Sequence, residues 1–162
     1  MPAFPAAVVE LVAIDRQGQP AVAGLLLDDP ARHVCMVTAR MVEAAGFVPP
    51  WHAYLAHQNG RIVGACAFKA PPVNGAVEIG YFTFPQEENR GVGTAMVRGL
   101  LDIVRKTAPM LTVVARTRNQ ENASNTILRK LGFYFAGEHI DAEDGIAWSW
   151  HLSPAQREKI LP

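Results

Sequence analysis

The residues best able to do chemistry in this sequence lie in one run, Phe84-Pro85-Gln86-Glu87-Glu88-Asn89-Arg90-Gly91-Val92-Gly93-Thr94. A strand-like stretch precedes it and an amphipathic helical stretch follows directly. At such a junction the loop's backbone N–H groups and the positive end of the helix converge on one anion, and the geometry suits a pyrophosphate. Gly91 and Gly93 carry no Cβ, so the backbone there approaches a ligand closely. Two other phosphate loops are excluded by their residues. The dinucleotide fingerprint needs a third glycine where Met96 stands, and a P-loop needs Gly-Lys-Ser/Thr, which occurs nowhere. The alternative is a tight turn into a helix with no ligand.

A second feature is Glu78, a carboxylate in the middle of an apolar strand. That position is costly unless the group is exposed, paired or functional. It is the first candidate base, the alternative being an exposed or Arg-paired residue. Glu143, in the acidic turn Asp141-Ala142-Glu143-Asp144-Gly145, is the second. Nucleophilic catalysis has no support: Gly-x-Ser-x-Gly is absent, and Cys35 and Cys66 sit among apolar neighbours without a paired base. They read as buried free thiols. No metal site is expected, because there is no Cys-x-x-Cys and His33-x-Cys35 is too short a pairing for zinc.

The elements that must hold these residues follow from periodicity. Strands are expected at 8–14, 51–57, 61–69, 76–84, 110–117, 133–140 and 146–152. Asn59-Gly60 fits a two-residue type I′ hairpin turn between the second and third. In the strand 76–84, Val77, Ile79 and Tyr81 share one face and Glu78, Gly80 and Phe82 the other. Helices are expected at 31–45, with Val34, Val37, Met41 and Val42 as its stripe, at 91–106, and at 120–131, with Ala123, Ile127, Leu128 and Leu131 inward and Asn119 or Asn122 as N-cap. Trp51, Tyr54, Trp148 and Trp150 read as core or cleft lining. A strand, helix, strand unit over 76–117 requires one parallel crossover in an otherwise antiparallel sheet. The expected fold is α/β: a mixed, mostly antiparallel sheet of six to seven strands flanked by helices, in one domain over 1–162.

Composition narrows the partners. Fifteen Lys and Arg balance fifteen Asp and Glu, which argues against a nucleic-acid binder and against a membrane surface. No apolar run reaches membrane-span length, so the chain reads as cytoplasmic. The charge is uneven, however. Residues 88–135 hold eight bases and three acids, an excess of five cations balanced by five anions elsewhere. Such asymmetry is compatible with one small polyanion held locally and with a cationic acceptor beside an acidic remainder.

The motif Glu88-Asn89-Arg90-Gly91-Val92-Gly93, followed by Thr94, resembles the Gln/Arg-x-x-Gly-x-Gly/Ala pyrophosphate loop of the GNAT superfamily of acyl-CoA-dependent N-acyltransferases, with Glu88 where Gln or Arg is usual. Asn122-Ala123-Ser124-Asn125 through Lys130-Leu131-Gly132-Phe133 is similar to the Asn-x-x-Ser/Ala... Leu-Gly-Phe stretch of the branch containing ribosomal-protein N-terminal acetyltransferases. The likeness spans about 51–152.

It implies acetyl-CoA as co-substrate, bound where the strands 76–84 and 110–117 splay apart, and direct transfer to a primary amine. The cofactor residues it implies are Phe82, Phe84, Glu88, Asn89, Arg90, Gly91, Val92, Gly93, Thr94, Asn122, Ser124 and Arg129, with Lys130 beside Arg129. The family's usual acid, a Tyr, is replaced by Leu128, so the acid is Ser124 or Tyr134. The acceptor's identity stays open, a homodimer is compatible, and the alternative function is a catalytically silent CoA-binding or sensor domain.

Overall fold

A computed structural model describes residues 8–142 and 145–159. Glu143, the second candidate base, lies outside the described residues.

The strands are β1 (Glu10–Ala13), β2 (Ala53–Gln58), β3 (Arg61–Phe68), β4 (Ala76–Thr83), β5 (Thr112–Arg118), β6 (Tyr134–Asp141) and β7 (Gly145–Leu152). The helices are α1 (Asp29–Ala45), α2 (Val92–Thr107), α3 (Ala123–Lys130) and α4 (Pro154–Glu158), with a 3-10 turn at Pro85–Glu87. The strands form one seven-stranded sheet in the order β1-β2-β3-β4-β5-β7-β6. Only β4 and β5 run parallel; every other neighbouring pair is antiparallel. The expected α/β architecture is therefore the observed one. At the hairpin turn Asn59 (φ 52°) and Gly60 (φ 77°) both have the positive φ that a type I′ turn demands.

Strand alternation sends side chains to two separate cores. On one face, Val77, Ile79, Val113, Ala115, Trp150 and Leu152 pack beneath Met96, Leu100 and Val104 of α2 and Leu128 of α3. On the other, Val12, Leu55 and Ala65 pack beneath Ala31 and Cys35 of α1. Both cysteines are buried free thiols, and burial pushes the Cys66 thiol up to about 12.

Three expectations are corrected. Helix α1 begins at Asp29, because the Asp28 carboxylate caps Ala31 N–H at 3.1 Å and Pro30 fits the first turn. Its Val37 and Met41 are exposed and face a cleft, while Cys35 and Thr38 face inward. Ala123 is exposed, and Asn125 takes the buried position in the first turn of α3. The short α4 has too few residues to show a period; Ser153 and Gln156 close a capping box at its start, and buried Arg157 donates to Leu111 O at 2.8 Å.

Since α2 carries the glycine loop at its N-terminus, its packing sets the loop's position. Replacing fully buried Leu100 by Ala is expected to cost about 2–5 kcal/mol, seen as a lower urea midpoint at unchanged slope.

Candidate active site

Strands β4 and β5 are hydrogen-bonded only from Ala76–Thr112 to Ile79–Ala115. Beyond that point β4 continues with β3 as far as Thr83, paired with Gly64, while β5 continues with β7 as far as Arg118, paired with Ala147. The two strands diverge and leave the β5-facing edge of residues 80–83 without a strand partner. Backbone amides on such an edge need water or a ligand.

The glycine loop closes the wide end of this split. Gly91, at φ 79°, is the N-cap of α2 and has no side chain to offer the helix. The first helical bond runs from Ala95 N–H to Gly91 O at 3.0 Å. Among the described residues nothing accepts from the N–H groups of Val92, Gly93 and Thr94, which leaves an anion site at the positive end of a 16-residue helix.

The two glycines have different reasons to be there. A Cβ on Gly91 would meet nothing within 4 Å, so the left-handed φ is its constraint. A Cβ on Gly93 would stand 2.7 Å from Ile127 Cδ1. Gly93 thus also lies where the end of the Ile127 side chain on α3 closes against α2.

The loop is anchored by a residue that the sequence did not single out. Glu87, buried at 7% exposure, holds Arg61 at 3.0 Å and Arg90 at 3.3 Å. Arg90 is therefore paired with Glu87, and Glu88 stands exposed and solvated. The cationic excess of 88–135 is also dispersed. Arg105 and Lys106 pair with Asp102 at the far end of α2, and Arg129 pairs with Glu121. At the loop, Arg61 and Arg90 share the one Glu87 carboxylate, and the backbone N–H groups add to the positive charge that remains.

On the face of α1, the register lines up a polar row across five strands. Lys69 N–H bonds Glu78 O, Glu78 pairs with Val114, Val114 with His151, and His151 with Tyr134. The Glu78 carboxylate is held by Lys69 Nζ at 2.9 Å and by the Arg116 guanidinium. Gly80 makes room for this, because a Cβ there would lie 3.1 Å from Lys69 Cε. One row on, Ser149 Oγ lies 3.3 Å from His151 Nε2. Burial, with the Arg116 charge adding to it, lowers the His151 imidazole below its usual value, so it is largely neutral at pH 7.

Across the sheet, Ser124 stands in the first turn of α3, and its carbonyl accepts from Tyr81 Oη at 3.4 Å. Burial pushes the Tyr81 phenol up to about 12. Asn122 caps α3 by accepting Asn125 N–H at 3.1 Å. Leu128, where the family has Tyr, is fully buried. Arg129 is gripped by both Glu121 oxygens, at 2.7 and 2.8 Å, above the Trp150 ring. The structure thus brings Glu78 and Tyr134 to one face, Ser124 to the other, and the split between them. Sequence reasoning missed Lys69, Tyr81, Glu87, Arg116 and His151. Strand register joins Lys69, Arg116 and His151 to Glu78, and nothing local in the sequence marks it.

The Gly93 contact has a measurable consequence. Gly93→Ala is expected to cost less than about 1 kcal/mol, because the Cδ1 end of the half-buried Ile127 can turn aside, and Ile127→Val, which removes Cδ1, to abolish that cost. A double-mutant cycle by urea denaturation measures the coupling.

Comparison with known proteins agrees with this geometry. Residues 21–134 match the family model described as the acetyltransferase (GNAT) domain. No curated protein matches by sequence. Among solved structures, the apo form of RimL, a ribosomal-protein α-N-acetyltransferase, is 21% identical, covers 94% of this chain and 96% of its own, and superposes with a TM-score of 0.66. Its complex with coenzyme A gives 19% identity, 94% and 96% coverage and a TM-score of 0.66. A Salmonella typhimurium acetyltransferase that modifies the N-terminal serine of a ribosomal protein gives 17%, 90% and 95%, and 0.64. At these identities the likeness is one of fold. The family model spans the whole stretch from the loop before α1 to the start of β6, and the chain belongs to the GNAT acetyltransferase family.

Proposed function

We propose that the protein transfers the acetyl group of acetyl-CoA to a primary amine by direct attack. The split between β4 and β5, with the unclaimed N–H groups of Val92, Gly93 and Thr94 at its mouth, carries this reading. The pyrophosphate sits on those N–H groups, and the two amides of the pantetheine arm pair with the open edge of 80–83 in place of a strand. Asn122 offers its amide to the arm. Phe82 is exposed and lines the way, whereas the Phe84 side chain is core, so Phe84 contributes backbone only. Arg129 serves a CoA phosphate by exchanging Glu121 for it.

The neutral amine attacks the thioester carbonyl, the C–S bond breaks, and the thiolate takes the proton of the Ser124 hydroxyl, which is refilled from solvent. On the amine side, Glu78 already carries a cation at each oxygen. Its part in this reading is positioning: it holds Arg116 and Lys69 beside the split. The amine's proton passes through water to His151, the neutral base of the same row. Tyr134 packs edge-on against that imidazole at 5.8 Å and orients it.

Acetyl-CoA is expected to raise the melting temperature, and an amine panel to release CoA thiol. Stabilisation without thiol release identifies a silent CoA-binding domain instead, and no stabilisation at millimolar ligand contradicts both readings. Ser124→Ala is expected to lower kcat about 100-fold with little change in KM for acetyl-CoA.

The pH profile tests the base. Because the working form of His151 is the neutral one, kcat/KM expressed on the neutral amine should hold at neutral pH and fall only as pH drops through a value below 6.5. His151→Gln should lose this limb and about 100-fold in rate. A limb that survives that substitution and disappears in Glu78→Gln returns the base to Glu78.

A further inference from the structure

We infer that the acceptor is a small amine carried on an apolar body, bound in the cleft between α1 and the sheet; this rests on the acetyl-transfer reading above and specifies its second substrate.

The cleft measures about 450 Å3, within the range of small-molecule sites. One wall is the outer stripe of α1, with Val37 and Met41; the other is β3 and β4, with Ala65 and Phe82 opposite each other in register; Trp51 lines it too. Met41 and Phe82 are more than half exposed, at 57% and 56%. A folded chain that leaves such large apolar groups facing one another across a groove provides a place for an apolar ligand.

Charge decides which amines fit. Among the described residues that line the cleft there is no Asp or Glu; its one fixed charge is Lys69, and His33 and His52 line it too. A polycation such as an aminoglycoside needs several carboxylates to replace its hydration, and here it meets an ammonium group already paired with Glu78. Among the described residues, the acids outside 88–135 do not line this cleft.

The orientation of the ligand also follows. Lys69 sits where the cleft meets the polar row, and its Nζ binds Glu78 at 2.9 Å. Gly80 and Phe82, immediately past the last β4–β5 pair, belong to both the cleft wall and the split. An amine entering with its nitrogen toward Glu78 places that nitrogen next to the thioester and leaves its carbon skeleton against α1.

The test is thiol release from acetyl-CoA with ethylamine, butylamine, isoamylamine, 2-phenylethylamine, an aminoglycoside and a serine-initiated peptide. Within the alkylamines kcat/KM is expected to rise about fourfold per added methylene, the factor for burying one CH2 group. Phenylethylamine should exceed the aminoglycoside and the peptide at least tenfold. Met41→Glu, a change at an exposed helix position, should flatten the alkyl series while stabilisation by acetyl-CoA stays as in the wild type. Turnover that is flat along the series, or that favours the aminoglycoside or the peptide, overturns the apolar acceptor and leaves acetyl transfer standing. Absence of thiol release with every amine overturns the transfer reading itself, and the acceptor with it.

Discussion

Two adjacent parallel strands that stop bonding to each other in the middle of a sheet create an obligation, because every backbone amide needs a partner. Here β4 and β5 part after Ile79–Ala115, and each is kept straight by its other neighbour, β3 or β7. The rest of the site depends on that opening. It leaves an extended edge for a ligand that carries amides of its own, it lets α3 approach the end of β4 so that Tyr81 reaches the Ser124 carbonyl, and it connects the face of α2 to the face of α1. Without the split, Ser124 and the Glu78 row would be sealed from each other by a continuous sheet.

The electrostatics of the site combine backbone dipoles with shared ion pairs. Among the described residues, five of the eight cations of 88–135 are ion-paired, four of them sharing their acid with a second base, and Arg90 holds the loop to Glu87 and, through it, to the Arg61 end of β3. What faces the split from the loop is a set of N–H groups fixed by the left-handed Gly91 and by the packing of Gly93 on Ile127. A preorganised dipole of this kind binds an anion without a desolvated charge to compensate when the site is empty. On the α1 face a carboxylate, Glu78, does occur, and two cations hold it.

Much of the fold was legible in the sequence because its signals are local. Alternation in 76–84, the Asn59-Gly60 turn and the helical stripe of 91–106 each follow from neighbours within a few residues. The glycine loop was legible for the same reason. The polar row was not, since Glu78 and Arg116 are 38 residues apart and His151 joins them only through the β5–β7 register. Charge counting does not place charges: the distribution along the chain has no memory of which acids fold next to which bases, and the described residues lining the cleft include no carboxylate. Met41 and Val37 were legible as one stripe of α1, but periodicity alone does not tell a stripe that is buried by the fold from one left open for a ligand.

The most direct measurement of the central relation, CoA lying in the split, is amide hydrogen exchange with and without acetyl-CoA. Slowed exchange confined to residues 80–83, 92–94 and 116–118 and the first turn of α3 is the expected result. Slowed exchange at the outer edges of the sheet with none at 80–83, or no change at all in the presence of saturating ligand, contradicts it.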